Sequence, residues 1–497
     1  MTTSLDSLLV TRTAGHGAHI GLIAEDRAGH RVAWSRERIE RVTSALAGRL
    51  ASLSAGPTVV VVDSDNTLGS ALALIAVLRT GLPLLPRAPR QVTASQRREV
   101  LDHLAASGHT VLRAGVNEHG VAEVEVEATA SPGAAAGDLP DHSVLLHTGG
   151  SAGSPKLLVD TAIRRRPLHR PPARLVARLN WRPGQVQLVA GPLDHAAPLT
   201  FFVEGVFDGN VIVLLRRFDP QSAVDLIEQW NVRWIQLTPF QMDRLALAVG
   251  DRPGALSTVR TLVHTAAPCP ERVKRFWIDW LGPDHVFEMY GASEGIGVTI
   301  ASGTEWLRRP GTVGRGFWTQ IRILDERKRP LPAGTVGRVY LRSGAGSRRD
   351  RLPVGASAVL DRTPDNFASV GDHGYLDEDG YLYLRPRQLD MINVGGEKVY
   401  PAEVERVLLE HPDVLDAIVL GRPDQRFGAR PHAIVVARTG APVTEQELKK
   451  HCRTVLPNVK VPATVRFVDE LPRTEAGKLR RTVVDAEFGE PTPGSGR

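Results

Sequence analysis

From Ser143 to His147 the sequence reads as a strand, and it runs straight into Thr148-Gly149-Gly150-Ser151-Ala152-Gly153-Ser154-Pro155-Lys156. Glycines let a backbone approach phosphate oxygens closely, hydroxyls and amides donate to them, and a lysine adds a compact positive charge. Anion cradling is the chemistry this spacing supports. It is not a Walker A loop, because Pro155 rather than glycine precedes the lysine and no Ser or Thr follows it. Further along, Glu288-Met289-Tyr290-Gly291-Ala292-Ser293-Glu294 sets an aromatic ring before a turn glycine, a hydroxyl and a carboxylate. Gly371-Asp372-His373-Gly374 leads to Arg387, and Leu471-Pro472-Arg473-Thr474-Glu475-Ala476-Gly477-Lys478 lies near the end. Lysine is scarce in this chain and arginine abundant, so finding Lys156 and Lys478 both inside such segments carries weight.

Six segments in fixed order carry a resemblance: TGGSAGSPK at 148–156, GPLDH at 191–195, TAAP at 265–268, EMYGASEG at 288–295, the run 371–405, and LPRTEAGKLRR at 471–481. Together they span about two-thirds of the chain and resemble the adenylate-forming superfamily of acyl-CoA synthetases, adenylation domains and luciferases. The text around His264–Pro270 and Trp277–Pro283 is most similar to bile-acid, aryl or fatty-acid CoA ligases. The implied reaction joins a carboxylic acid to ATP, giving acyl-AMP and pyrophosphate. CoA then takes the acyl group as a thioester and AMP leaves.

The resemblance also implies roles. Thr148, Gly150, Ser151, Gly153 and Lys156 would cradle the ATP phosphates, with Gly149 and Ala152 replacing commoner hydroxyl residues and so removing donors. Tyr290 would stack on adenine, Ser293 would touch the α-phosphate, and Glu294 would ligate Mg²⁺, because a hard cation must neutralise the triphosphate before a carboxylate can approach. Ala266 and Ala267, with Glu288 and Gly291, would complete the nucleotide pocket, and Asp372 with Arg387 would hold the ribose diol. Lys478 is expected to be the catalytic lysine, meeting charge that develops on the α-phosphoryl oxygens. His195 would border the reacting carboxylate, where it can donate a hydrogen bond or gate the thiol route. Asp194 departs from the aromatic or apolar residue usual there. Phe201, Phe202, Thr265, Gly295 and Ile296 are expected around the acid. Gly395 and Gly396 would line the pantetheine tunnel, with Phe427 over the CoA adenine.

Positioning these groups requires an α/β fold. Thr58–Val62 reads as a buried strand, Leu68–Arg79 as a helix and Leu82–Leu85 as a strand; strands recur at Gln187–Ala190, Val211–Leu215 and Trp234–Leu237. Such alternation implies parallel sheets with crossover helices. We expect two α/β layers, then a β-rich subdomain over about Thr312 to Tyr383. A compact α+β unit follows, with helices at Ala402–Glu410 and Glu445–Leu456. The expected domains are 1–387, binding ATP and acid, and 388–497, mobile and carrying Lys478. The family's hinge position falls on Leu389, an apolar residue where Asp or Lys is usual.

At 497 residues, 42% hydrophobic and 23% charged, this is the composition of a globular protein with more than one domain. The N-terminus lacks a basic region followed by a long apolar stretch, and there is no apolar run of membrane-spanning length. Two cysteines without metal-ligand spacing fit a reducing cytoplasm. The net charge of +6 invites nucleic acid, yet no aromatic residue lies within the densest basic cluster, Arg164 to Arg174, so a solvated loop is the better reading. Anionic ATP and CoA can draw on the same field. Expected cofactors are ATP, Mg²⁺ and CoA, and the expected partner is a small carboxylic acid. Adenylation with another acceptor stays open: a carrier-protein thiol, an amine, or nitrite-dependent diazotisation of an aryl amine. A non-catalytic nucleotide-binding relative is the remaining alternative, against which Lys478, Glu294, Asp372 and Arg387 all argue.

Overall fold

The computed structural model describes residues 19–88, 93–117, 119–131, 139–148, 156–160, 163, 174–250, 252, 254–344, 349–352, 360–385, 391–438, 440, 443–473, 479 and 483–484. Strand β1 (Thr58–Asp63) is buried from Thr58 to Val62 and leads into helix α1 (Leu68–Thr80). Thr67 caps that helix by accepting from the Ser70 amide. Helix α1 is buried at nearly every position, because its core joins Val60 and Leu84 on one side to Val189, Ile212 and Leu214 on the other. A helix apolar all round belongs between two layers, and this one fills the space between two sheets. β1 pairs in parallel with β2 (Leu84–Arg87), beyond which lie β3 (Val144–Thr148) and β4 (Lys156–Asp160).

The second sheet holds β5 (Val186–Val189), helix α2 (Ala196–Asp208), β6 (Val211–Leu214), β7 (Trp234–Leu237), helix α3 (Pro239–Val249), β8 (Thr261–His264), helix α4 (Glu271–Leu281), β9 (Val286–Gly291) and β10 (Val298–Ser302). Its central order is β6-β5-β7-β8-β9, all parallel, with β10 antiparallel at the flank. Beyond β10 the expected β-rich region continues this sheet: Thr312–Phe317 pairs with β10, Leu382–Arg385 pairs with that strand, and β11 (His373–Leu376) follows. Alternating sequence fixes which residues form strands, whereas a free edge on β10 decides where they add. In addition, Arg349–Leu352 leaves this region and pairs antiparallel with β4, in the first sheet.

The C-terminal unit has its own five-stranded sheet and core. Helix α5 (Pro401–Glu410), β12 (Val414–Asp424), β13 (Gly428–Ala437) and helix α6 (Glu445–Val455) surround Val404, Val407, Leu408, Val419, Val435, Leu448 and Cys452. The expected boundary at 387/388, and Leu389 with it, lies outside the described residues. Contact with the rest of the molecule runs through Arg272 on α4. Its Nε donates to the Leu409 carbonyl at 2.7 Å, while its two terminal nitrogens hold Asp243 of α3 at 2.7 and 2.8 Å. Arg438 adds a second cation 3.7 Å from Asp243. Among the described residues no helix is long and apolar enough to cross a membrane.

Candidate active site

In a parallel sheet the loops beyond the carboxyl ends of the strands converge on one edge, where open α/β folds bind their ligands. Here that edge collects GPLDH after β5, TAAP after β8 and the YGASEG turn after β9. The registers are flush: Val189 opposes Gln236, Leu237 opposes His264, and His264 opposes Glu288. Three of the six sequence segments therefore meet on one sheet edge, although they are spread from Gly191 to Gly295 along the chain.

The nucleotide side of this edge is tied together across the sheet. Tyr290, at the end of β9, donates its hydroxyl proton to Asp372 Oδ2 at 2.8 Å. The expected adenine platform and the expected ribose carboxylate are thus one hydrogen-bonded pair, although 82 positions apart. Asp372 is held by a second device, since its carbonyl accepts from the Val339 amide in the neighbouring strand at 2.8 Å. Ser293 and Glu294 sit half-buried in the turn after Gly291, and that turn closes by the Gly295 amide donating to the Ala292 carbonyl at 2.9 Å. At Gly291 a Cβ would meet the Val298 side chain at 3.0 Å, a tight contact that Val298 would have to relieve. Ala266 and Ala267 are exposed on the edge beside this turn. Ala266 adopts φ +82, the left-handed region that costs a non-glycine residue about 1–2 kcal/mol.

Beneath the turn the support is ionic. Glu288 points away from the edge into the core, where the Lys274 ammonium of α4 holds it; both are buried, at 8% and 3% exposure. Glu288, expected to bind ATP, thus has its carboxylate committed to Lys274. His264, its neighbour across the register, is fully buried with neither ring nitrogen hydrogen-bonded. Burial, and then the Lys274 charge, hold its pKa well below the ordinary histidine value.

The acid side is built on Asn66. This buried residue, at φ +56 just ahead of α1, donates to the Gly191 carbonyl at 2.9 Å and the Leu215 carbonyl at 3.0 Å, and accepts from the Leu193 amide at 3.0 Å. It clamps the GPLDH turn from the other layer. Gly191 is required, because a Cβ there would lie 2.5 Å from Pro198. His195 occupies the N-cap of α2 without capping it through its side chain. Its Nδ1 stands 3.1 Å from Asp194 Oδ2, with Asp194 almost fully buried. Thr265 accepts a hydrogen bond from Gln236 at 3.2 Å, one layer below the edge.

The expected pocket-wall roles of Phe201 and Phe202 are corrected. Phe201 packs 4.7 Å from Trp234, in a cluster with Trp181, and Phe202 enters the core between the sheets. Consecutive helix positions point about 100° apart, so one helix face cannot present both to a substrate. Ile296 likewise packs into the core of the β-rich strands, with Ile323, Val339 and Leu382.

In the C-terminal unit Gly395 and Gly396 adopt φ +58 and +98, a tight turn that L-residues resist. The Gly395 amide donates to the Phe427 carbonyl at 2.8 Å, and a Cβ on Gly395 would meet the Phe427 ring at 3.3 Å. The residues expected to face CoA are therefore assembled together, with Arg426 and Arg430 over the Phe427 ring at 5.2 and 5.7 Å. Thr148 and Lys156 are cross-strand partners at the base of the β3–β4 hairpin, which places the ends of the phosphate loop side by side. Gly150, Ser151, Gly153, Arg387 and Lys478 lie outside the described residues. Sequence reasoning does not find Asn66, Lys274 or Gln236. The polar turn Ser64-Asp65-Asn66 gives no hint that its asparagine has a partner 125 residues away, and a lysine in a helix reads as solvated.

These features define an adenylate-forming α/β enzyme, and comparison with known proteins agrees. Residues 12–348 match the AMP-binding enzyme family and residues 403–478 match the AMP-binding enzyme C-terminal domain. The chain belongs to this family and is an AMP-forming ligase. It is 31% identical to a 2-succinylbenzoate–CoA ligase of Bacillus licheniformis over 69% of this chain and 70% of that one. It is 32% identical to the fatty acid–[acyl-carrier-protein] ligase ScoC of Streptomyces coeruleorubidus, over 63% of this chain and 61% of ScoC. The fold is similar to that of o-succinylbenzoate CoA synthetase (MenE) from Bacillus subtilis in complex with the acyl-adenylate OSB-AMP, with a TM-score of 0.74 at 24% identity over the whole of both chains.

Proposed function

We propose that this protein activates a small carboxylic acid with ATP, releasing pyrophosphate, and passes the acyl group from acyl-AMP to the thiol of CoA, releasing AMP. The observation that carries this reading is the Tyr290–Asp372 hydrogen bond at the carboxyl edge of the sheet, which joins an aromatic platform to a carboxylate able to accept from a vicinal diol. Glu294 supplies a hard oxygen donor of the kind Mg²⁺ takes, and that ion would neutralise triphosphate charge. Asp372 with Arg387 orients the ribose, so that the α-phosphorus faces the acid bound beside His195. The acid oxygen attacks, pyrophosphate leaves with its electron pair, and Lys478 offsets the charge on the α-phosphoryl oxygens. The Gly395–Gly396 turn and Phe427 then receive the thiol-bearing substrate. Similarity to 2-succinylbenzoate–CoA ligase supports CoA as acceptor, and similarity to ScoC supports a carrier-protein thiol as the second reading. Free cysteines, Cys269 and Cys452, support a reducing cytoplasm.

The test is pyrophosphate release across a panel of acids with ATP and Mg²⁺, with and without CoA, and with mass detection of the thioester. Acid-dependent pyrophosphate release and a CoA thioester are expected. Pyrophosphate release with no thioester, and acyl transfer to an added carrier protein instead, moves the acceptor to the second reading. Absence of acid-dependent pyrophosphate release overturns both.

A further inference from the structure

Buried polar atoms in folded proteins are nearly always hydrogen-bonded, so those that are not need a physical account. Two adjacent residues of the acid side present such atoms together. Asp194 is 4% exposed, and its Oδ1 is buried without a hydrogen-bond partner; the Nδ1 of His195 is buried and unpartnered as well. Asp194 Oδ2 and His195 Nδ1 stand 3.1 Å apart, close enough for charge attraction but without the alignment of a hydrogen bond. Among the described residues, no other charged side chain stands within ion-pair distance of either.

The turn cannot rotate to cure this. Asn66 fixes its backbone at Gly191 and Leu193, Pro198 blocks it at Gly191, and the His195 amide donates to the Pro192 carbonyl at 3.2 Å. The backbone that carries the orphaned pair is therefore fixed. A carboxylate is acceptor-only when ionised, so its partner must bring a donor. Burying it unpaired is costly, whereas a matching donor from outside recovers that cost on binding.

Resting on the reading of the site as an acid-activating one, we propose that Asp194 and His195 form a subsite for an amino group carried by a reactant. An amino group has the hydrogens to donate to Asp194 Oδ1 and to a neutral His195 Nδ1 at once. In its ammonium form it also supplies the positive charge a buried carboxylate favours. A hydroxyl has one hydrogen and satisfies the pair only if His195 is the donor. An unsubstituted alkyl or aryl acid leaves both atoms orphaned. The acid site is thus tuned toward amino-substituted acids, or toward an amine acceptor entering beside the acyl group.

The experiment uses acid pairs that differ only by the amino group: benzoate with its three aminobenzoate isomers, and hexanoate with 6-aminohexanoate. Wild type and Asp194→Leu are compared by pyrophosphate release and, independently of turnover, by the thermal shift each acid produces in ATP-saturated protein. Wild type should favour the amino member of at least one pair by about 10- to 100-fold in kcat/KM or apparent affinity. Asp194→Leu should abolish or invert that ratio. If discrimination appears only when preformed adenylate is consumed by added amines, the subsite serves the acceptor and the proposal holds with that source. Equal use and equal shifts for both members of every pair in wild type, or a ratio unchanged in Asp194→Leu, overturn it. If wild type releases no pyrophosphate with any acid but its thermal-shift ratio favours the amino member, that counts instead against the catalytic reading of the site.

Discussion

Tyr290 and Asp372 find each other across the sheet, whereas Asp194 and His195, on the same edge, each keep a buried atom without a partner. The two halves of the site differ in what must be constant. On the proposed function every turnover uses the same nucleotide, so a platform at Tyr290 and Asp372 can be completed by the protein's own groups, down to the Lys274–Glu288 pair beneath it. On our proposal the acid side is completed by the reactant. The contrast lies in the two pairs themselves: Tyr290 and Asp372 satisfy each other, whereas Asp194 Oδ1 and His195 Nδ1 do not, although His264 below the nucleotide side is also without a hydrogen bond.

The comparison is broken most severely from below. Lys274→Met should destabilise the protein by about 3–5 kcal/mol, because Glu288 is left as an uncompensated buried charge. Adding Glu288→Gln should recover most of that loss, and urea unfolding of the single and double variants checks both statements. Next, Asp372→Ala should cut kcat/KM for ATP about 100-fold through loss of charged hydrogen bonds. Tyr290→Phe, which keeps the ring and removes one donor, should cost about tenfold or less. Equal losses in steady-state kinetics would mean that the pair acts only as a structural tie.

A pH test reaches the same foundation. His264 is held neutral in the fold, with its pKa well below that of the unfolded chain, near 6.5. Below that pH the unfolded state binds the extra proton, so stability falls as pH falls, by up to about 1.4 kcal/mol per pH unit. His264→Leu should flatten this dependence in thermal unfolding between pH 5 and 7.5. The smallest effects sharpen the contrast between the halves. Ala266→Gly should stabilise by about 1 kcal/mol through relief of its left-handed backbone. Asp194→Leu should also stabilise, by about 1 kcal/mol, because it removes a buried carboxylate oxygen that has no hydrogen-bond partner, whereas Asp372→Ala should not. Denaturation midpoints of the three variants decide it.

How much of this is legible in sequence follows the same division. Tyr290, Ser293, Glu294 and Asp372 stand out because nucleotide chemistry demands those residue types in short contiguous segments. Their mutual contact is not legible, since strand order is set by edges that pair far apart in the chain. The β-rich strands are readable as strands, but not as an extension of the second sheet. Phe201 and Phe202 mislead because apolar residues after a motif suggest a pocket wall, while helix geometry sends them to two different cores. Asn66 is invisible, since its importance lies entirely in the three backbone groups it reaches. Glu288 is assigned by its motif, yet its burial partner comes from a helix whose charge pattern looks like solvent.

Arg272 and Lys274 both lie in the first turn of α4, and they look in opposite directions. Arg272 holds the Leu409 carbonyl of the C-terminal unit; Lys274 holds Glu288, two residues before Tyr290. One short helix thus reports on both the docking of that unit and the strand that carries Tyr290. Thermodynamic reciprocity then applies: whatever factor docking contributes to ATP affinity, bound ATP returns to docking in equal measure. In that sense the C-terminal unit behaves toward the larger one as a tethered second ligand, whose affinity the first ligand sets.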